Sequence, residues 1–256
     1  MLIAEDFLLL AVDDETGKTA NVDNLGVRLA GALLADLAAA NKTLMRGAPE
    51  AGATKEEREK AGDTAILVTD NAPTGHVALD AALQAVLATP DAPARKVVEA
   101  ISKDAEDNLL TALVERGILE KEETKFFRML PITRWPAADS SHEVALRTNL
   151  TKVLVEGAEP DERTATLISL LHGSGLIGGL VGKEQRKVAE ERAEEIAGSE
   201  WGVATVATQV AIAATVATVA TVGVAAAAFI LLANDADKPA DTAEPAAAEP
   251  AEAPVS

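Results

Sequence analysis

The sequence contains no cysteine and no tyrosine, and aromatic residues make up only 2% of its 256 positions. Without cysteine there are no disulfides, no thiolate catalysis and no cysteine metal ligands, as is usual for a cytoplasmic protein. Hydrophobic residues nevertheless make up 48% of the chain. The core must therefore be built from Ala, Leu, Val and Ile, which favours close-packed helices over a sandwich of sheets.

Positive charge is also scarce, because 23 Lys and Arg residues face 41 Asp and Glu residues and leave a net charge of -18. Such a chain repels phosphate polymers, so we expect no nucleic-acid partner. It also has no overall attraction to an anionic membrane, and any basic site must be local. The first residues carry the acids Glu5 and Asp6 and no basic group, which argues against a signal peptide.

Apolar residues recur at helical spacing along most of the chain. The pattern, with its caps and breaks, predicts helices at 2–12, 24–41, 77–87, 94–101, 104–117, 143–155, 162–172 and 183–197. The last of these is rich in closely spaced charges and is predicted to be mostly solvated. A β-branched apolar run at 65–69 is a short strand candidate.

Residues 118–132 are predicted to form a β-hairpin. Ile118 and Leu119 begin one arm, residues 120–124 make a polar turn, and residues 125–132 form the other arm. The second arm carries a large apolar group, which is a candidate face for membrane contact or self-association: Phe126, Phe127, Met129 and Leu130. The alternative, that this arm packs on the protein's own core, stays open.

The chain carries no charge between residues 201 and 234 and is mostly Ala, Val and Thr there. This segment is long enough to cross a bilayer, for which about 20 apolar residues suffice. Its many threonines and Gln209 fit a buried final helix equally well, so both interpretations stay open. Residues 235–256 are rich in Pro, Ala and acids and are predicted to be disordered.

No catalytic or metal-binding constellation emerges from the sequence. The glycines at 173, 175 and 178 have the spacing of a dinucleotide loop, but they follow a predicted helix where that loop requires a strand. His76, His142 and His172 are far apart and lack metal-ligand spacing. We therefore predict no catalytic residue, no metal and no cofactor, and a protein that is not an enzyme.

Six stretches carry a resemblance to a known family: EDFLLL at 5–10, GALLADL at 31–37, NAPTGHVALD at 71–80, LTALVERGIL at 110–119, RWPAAD at 134–139 and LISLLH at 167–172. Over roughly residues 1–200 the chain resembles the Golgi phosphoprotein 3 family. The resemblance implies a single, mostly helical domain with a projecting β-hairpin at about 118–132. It also implies a peripheral membrane protein that binds phosphatidylinositol 4-phosphate and acts as an adaptor, with the hairpin serving membrane contact and self-association.

The family's lipid pocket uses one Trp and three Arg, and these positions fall near Asn21 and at Ala30, Lys103 and Glu106. Only Lys103 keeps a positive charge, and a glutamate in such a pocket opposes a phosphate. Arg28, on the same predicted helix as Ala30, is a candidate substitute. The resemblance thus implies a weak headgroup site formed by Lys103 and Arg28.

Together these observations predict a mostly α protein with a compact helical domain over 1–200, an apolar helix over 201–234 and a disordered tail. Its expected function is that of a non-enzymatic adaptor at the cytoplasmic face of a membrane. The expected partners are a phosphoinositide or other anionic lipid and a client protein of unknown identity, and a second copy of the chain is a candidate partner. The alternative is a soluble scaffold that binds another protein without lipid specificity.

Overall fold

Apolar side chains from all the helices of the described part meet in one continuous core. The computed structural model describes residues 1–12, 19, 22, 24–45, 65–126 and 130–198. The helices are α1 (Ile3–Ala11), α2 (Leu25–Ala39), α3 (Val77–Leu87), α4 (Ala94–Ser102), α5 (Ala105–Glu115), α6 (Ser141–Leu154), α7 (Glu162–Gly173), α8 (Ile177–Leu180) and α9 (Arg186–Gly198). The protein is therefore mostly helical, as its Ala- and Leu-rich composition predicted.

Two small antiparallel strand pairs accompany the helices. Strands β1 (Thr43–Met45) and β2 (Ile66–Val68) pair with each other, and β3 (Glu122–Phe126) pairs with β4 (Leu130–Arg134). The first pair lies against α2 and α3, whereas the second forms a separate two-stranded ribbon.

Helix α1 occupies the centre of the helical body. All nine of its residues are buried, and it packs against α2, α5, α6 and α7. An apolar helix buried on every side is expected inside a bundle rather than at its surface. Two acids, Glu5 and Asp6, are nevertheless buried within this helix, and they need partners of opposite charge.

The predicted helices and the strand at 65–69 are confirmed, with small changes at their ends. The prediction for α3 agrees at both ends, and Gly117 closes α5 with a positive φ of 69°. The prediction that α9 is mostly solvated is confirmed, since most of its residues are exposed, while Ala189, Ala193 and Ile196 are buried against the core. Strand β1 and the single turn of α8 were not predicted, because both are too short to show a period.

The β-hairpin exists, but the predicted position of its turn is wrong. Residues 122–124, assigned to the turn, belong to the first strand, and Phe126 ends that strand instead of lying in the second arm. The register pairs Glu122 with Arg134 and Phe126 with Leu130. Residues 127–129, which include Phe127 and Met129, lie outside the described part. A polar strand was mistaken for a turn because a two-stranded ribbon in solvent satisfies its backbone hydrogen bonds without needing an apolar face.

Within the described part, no helix combines the length and apolar character needed to cross a membrane. The uncharged segment at 201–234 and the tail at 235–256 lie outside the described residues, so the predictions for them remain predictions.

Candidate functional site

The most highly charged buried region surrounds the first turn of α1. Three buried carboxylates, Glu5 and Asp6 on α1 and Asp36 on α2, meet two arginines and two histidines that come from other elements. We call this group the α1 carboxylate cluster, and its members are Glu5, Asp6, Asp36, His76, Arg116, His142 and Arg163.

Glu5 is fully buried and fully hydrogen-bonded. Nη1 of Arg116, which follows α5, donates to both carboxylate oxygens at 2.8 and 2.9 Å, and the backbone amide of Leu2 donates to Oε2 at 2.8 Å. His76 Nε2 lies 2.9 Å from Oε1. Burial alone would raise the pKa of Glu5, but these hydrogen bonds and the Arg116 charge together hold it below its ordinary value. Glu5 is therefore ionised at neutral pH.

Asp6 connects α1 to the opposite side of the bundle. Its Oδ1 lies 2.7 Å from Nε2 of His142 on α6, and its Oδ2 lies 2.7 Å from Nη1 of Arg163 on α7. Arg163 also donates from Nη2 to the carbonyl of Met1. The N-terminal end of α1 is thus held by polar side chains from both α6 and α7.

Asp36 caps α1 from a neighbouring helix. Its two oxygens accept the backbone amides of Ile3 and Ala4 at 2.8 and 3.0 Å, which satisfies two of the amides that a helix N-terminus leaves free. Burial raises the pKa of Asp36 to about 6, although the two amides and Arg163 act to lower it. This carboxyl group therefore changes charge much closer to neutral pH than an ordinary aspartate.

The loop before α3 positions His76 against this cluster. Asp80 accepts hydrogen bonds from the backbone and hydroxyl of Thr74 at 2.6 and 2.7 Å, and from the backbone of Gly75 at 3.2 Å. Gly75 has a φ of 82°, a conformation that favours glycine. The Thr-Gly turn and the aspartate one helical turn further on therefore act together to direct the imidazole towards Glu5.

Sequence reasoning missed the α1 carboxylate cluster altogether. Acid pairs are common in a chain with 41 Asp and Glu residues, and the pair at positions 5 and 6 was interpreted only as evidence against a signal peptide. The available signal was its context, because two adjacent acids in a helix predicted to be buried require partners. Four of the stretches that carry the family resemblance supply members of the cluster: Glu5, Asp36, His76 and Arg116.

The two residues predicted to bind a lipid headgroup lie on either side of a close helix contact. A Cβ atom at Gly26 in α2 would lie 2.6 Å from the carbonyl oxygen of Ser102 at the end of α4. Lys103 directly follows this contact and is exposed. Arg28, two residues after Gly26, is buried and donates from Nη1 to the carbonyl of Gly173 at 2.7 Å. The two backbones therefore approach each other, while the Arg28 side chain extends towards the end of α7.

The other positions of the family's pocket give no further positive charge. Ala30 is fully buried, and Asn21 lies outside the described residues. Glu106 is half-buried and accepts a hydrogen bond from the side chain of Thr19, and its burial raises its pKa. Glu106, three residues after Lys103 in the sequence, therefore adds a carboxyl group where the predicted pocket would require a donor.

The hairpin is joined to the body through paired backbone at its base. Leu119 and Ala137 form an isolated bridge beyond the two strands, and Glu120 donates its amide to the carbonyl of Pro136. Lys121 lies over the ring of Trp135, with Nζ 5.9 Å from the ring centroid, which is a cation–π contact. Leu119 itself is buried in the core. The ribbon therefore extends from a base that is fixed to the helical body.

His172 lies at the edge of the core near the end of α7. It is half-buried beside Glu190 and Glu194, and burial lowers its pKa although these two carboxylates act to raise it. No group of three metal-ligating side chains occurs within the described part of the chain.

The described residues thus define a helical body with a buried charged centre and a separate two-stranded β-ribbon. This description agrees with the match of residues 3–214 to the family model of Golgi phosphoprotein 3 (GPP34), and the chain belongs to that family. Comparison with curated proteins gave no significant match.

Proposed function

We propose that this protein is a non-enzymatic peripheral membrane adaptor that works at the cytoplasmic face of a membrane. The observation that carries the proposal is its membership of the Golgi phosphoprotein 3 family, over nearly the whole chain. The resemblance to that family implies lipid binding and adaptor activity, with a client protein as the second partner. The projecting ribbon supports this assignment, since it presents an element outside the helical core.

The ribbon is proposed to be the main membrane contact. The backbone register brings Phe126 opposite Leu130 at the end of the ribbon, and Phe127 and Met129 belong to the intervening segment. Burying one such side chain in an apolar environment stabilises the bound state by about 1.5–3 kcal/mol. Several of them suffice for reversible membrane binding, and the same group would also serve self-association.

The headgroup site is proposed to be weak. Lys103 is exposed and available to a phosphate, whereas Arg28 has to leave the carbonyl of Gly173 before it contributes. Glu106 opposes a phosphate at the same place. We therefore propose that Lys103 makes the larger contribution and that anionic lipids in general are bound with little preference for phosphatidylinositol 4-phosphate.

Liposome flotation of a double variant, Phe126→Ser with Phe127→Ser, tests the ribbon. We expect binding to fall at least about tenfold, since each substitution removes apolar area that would be buried in the bilayer. The matched control is Val144→Ser, which removes an exposed apolar side chain from α6, away from the ribbon. Equal binding of the double variant and the control would contradict the proposed role of the ribbon.

The C-terminal segment at 201–234 supplies a second candidate for the anchor. A version of the chain ending at Ser199, checked by circular dichroism for its helical content, separates the two. If the short version floats like the full chain, the anchor lies in residues 1–199. If flotation is lost while the helices persist, the uncharged segment is the anchor.

The second candidate function is a soluble scaffold that binds another protein without lipid specificity. The acidic balance of the chain favours it, because a net charge of -18 gives no general attraction to an anionic membrane. A chain that stays at the bottom of the gradient with every vesicle would support this alternative.

A further inference from the structure

The two histidines of the α1 carboxylate cluster make similar contacts in different surroundings. His76 lies 2.9 Å from Glu5 and His142 lies 2.7 Å from Asp6, in each case through Nε2. Each carboxylate also faces one arginine, Arg116 for Glu5 and Arg163 for Asp6. The differences lie in how well each carboxylate is satisfied and in what surrounds the other nitrogen of each ring.

Glu5 has no need of another positive charge. Its oxygens already accept two hydrogen bonds from Arg116 and one from the amide of Leu2. On the far side of the ring, Nδ1 of His76 is buried and has no hydrogen-bond partner in the described part of the chain. A second proton on His76 would therefore sit on a buried N–H without an acceptor, beside the Arg116 charge, and both effects oppose protonation.

The carboxylate of Asp6 has fewer hydrogen-bond donors than that of Glu5. Arg163 approaches Oδ2 to 2.7 Å, yet no donor of the described residues makes a well-directed hydrogen bond to that oxygen. The His142 side chain is 38% exposed, so a proton on its second nitrogen can be solvated. Protonation of His142 would place a positive charge 2.7 Å from a carboxylate that is 1% exposed.

The other charged groups around His142 do not reverse this difference. Glu5 lies beside Asp6 on α1, and its negative charge favours a proton on His142. The positive charge of Arg163 on α7 disfavours that proton. On α6 itself, Glu143 is paired with Arg147 at 2.7 Å, and Asp139 ahead of the helix accepts the amide of Ser141. Within the cluster, Glu5 and Asp6 face Arg116 and Arg163, while Asp36 accepts the backbone amides of Ile3 and Ala4.

We propose that His142, and not His76, is the proton-sensitive contact of the α1 carboxylate cluster, so that acidification tightens the attachment of α6 to α1 and leaves that of α3 unchanged. Histidine is the side chain that ordinarily changes charge between about pH 5 and 8. A histidine that gains a carboxylate partner on folding adds stability at low pH and loses it as the pH rises. The proposal does not depend on lipid binding.

The test compares the full chain with His142→Gln, and with His76→Gln as the matched control. A glutamine amide can still donate towards the carboxylate at either position, but it does not titrate. Unfolding by urea is measured from about pH 5.5 to about pH 8.5, the range of ordinary histidine titration. Over this range Asp36 titrates in all three chains and Glu5 stays ionised, so to a first approximation their contributions cancel when each variant is compared with the unmodified chain.

We expect the stabilisation of the unmodified chain over His142→Gln, expressed as a ratio of folding equilibrium constants, to fall about fivefold as the pH rises, the size of a partly exposed ion pair. The corresponding ratio for His76→Gln should instead rise with pH, because a histidine that is kept neutral in the folded protein is protonated more readily in the unfolded chain. A constant ratio for His142→Gln, or a ratio for His76→Gln that falls as the pH rises, would overturn the proposal.

A measurement on the unmodified chain tests the proposal even if the variants do not fold. The sequence has only three histidines, so their ring nitrogens can be assigned by NMR. We expect His142 to be doubly protonated at a pH where His76 is still neutral and carries its proton on Nε2. Earlier or simultaneous protonation of His76, or a His142 ring that stays neutral down to about pH 5.5, would overturn the proposal.

Discussion

At the scale of single residues, the centre of the molecule depends on compensating a buried negative charge. Glu5 is fully buried and ionised, and Arg116 is the partner that makes two of its four polar contacts. Removing one partner of a buried ion pair is costly because the remaining charge stays desolvated. The Arg116 side chain is 42% exposed, so water can solvate part of the Glu5 charge once Arg116 is removed. This solvation lowers the cost of the substitution.

The variant Arg116→Ala is therefore expected to lower the free energy of unfolding by about 2–3 kcal/mol at neutral pH. The control is Lys96→Ala, which breaks an exposed pair with Glu99 on α4 and should cost less than about 1 kcal/mol. Urea unfolding followed by circular dichroism measures both. Similar costs for the two variants would mean that Glu5 does not depend on Arg116.

A second prediction at this scale concerns Asp36, whose pKa is raised from its ordinary 3.8 to about 6 by burial. A carboxyl group with a raised folded-state pKa stabilises the protein fully only below its unfolded pKa, and this contribution is lost as the pH rises through about 6. Relative to Asp36→Asn, the unmodified chain should therefore lose on the order of 3 kcal/mol between about pH 4 and pH 7, since each pKa unit corresponds to about 1.4 kcal/mol.

The stability contribution of Glu5 depends on pH in the opposite direction, because the pKa of Glu5 is lowered in the folded protein. Its contribution is present above the ordinary pKa of 4.5 and is lost as the pH falls. A stability difference between the unmodified chain and Asp36→Asn that stays constant from pH 4 to pH 7 would contradict the account of Asp36.

At the scale of secondary structure elements, the α2–α4 contact fixes the place where the proposed headgroup site is built. An added Cβ at Gly26 would lie 2.6 Å from the backbone oxygen of Ser102, an atom that cannot move without moving the end of α4. Overpacking of this kind ordinarily costs about 1–3 kcal/mol.

We expect Gly26→Ala to destabilise the protein by that amount, measured by thermal or urea unfolding. The control is Gly179→Ala in α8, where a Cβ would have no neighbour within 4 Å and alanine is the better helix former. The control should be neutral or slightly stabilising. A Gly26→Ala variant as stable as the control would contradict the close packing of α2 against the end of α4.

The elements also differ in how far the sequence alone predicts them. Helix α3 was predicted at both ends, because its apolar period is regular and a Thr-Gly turn precedes it. The turn of the β3–β4 ribbon was misplaced, since a run of Glu, Lys and Thr has no period that separates an exposed strand from a turn. The α1 carboxylate cluster could not be predicted from spacing, because it joins residues as far apart as Glu5 and Arg163 and depends on how six helices pack.

At the scale of the whole molecule, a strongly acidic chain is proposed to bind membranes through two local features. The net charge of -18 opposes an anionic surface, so the ribbon has to supply apolar contact and Lys103 has to supply local positive charge. Electrostatic attraction near a membrane amounts to about 1 kcal/mol per basic residue and weakens with salt, whereas apolar insertion does not. Lipid composition and salt therefore separate the two contributions.

The most direct test of the account is flotation of the full chain with neutral vesicles, anionic vesicles and vesicles containing phosphatidylinositol 4-phosphate, at low and high salt. Lys103→Glu is compared with Lys96→Glu, the same charge reversal at another exposed lysine, on α4. The account predicts salt-resistant binding to all vesicles, a salt-sensitive gain with both anionic kinds, and loss of that gain in Lys103→Glu but not in Lys96→Glu. A chain that floats with none of the vesicles at either salt concentration would contradict the membrane assignment and leave the soluble scaffold in its place.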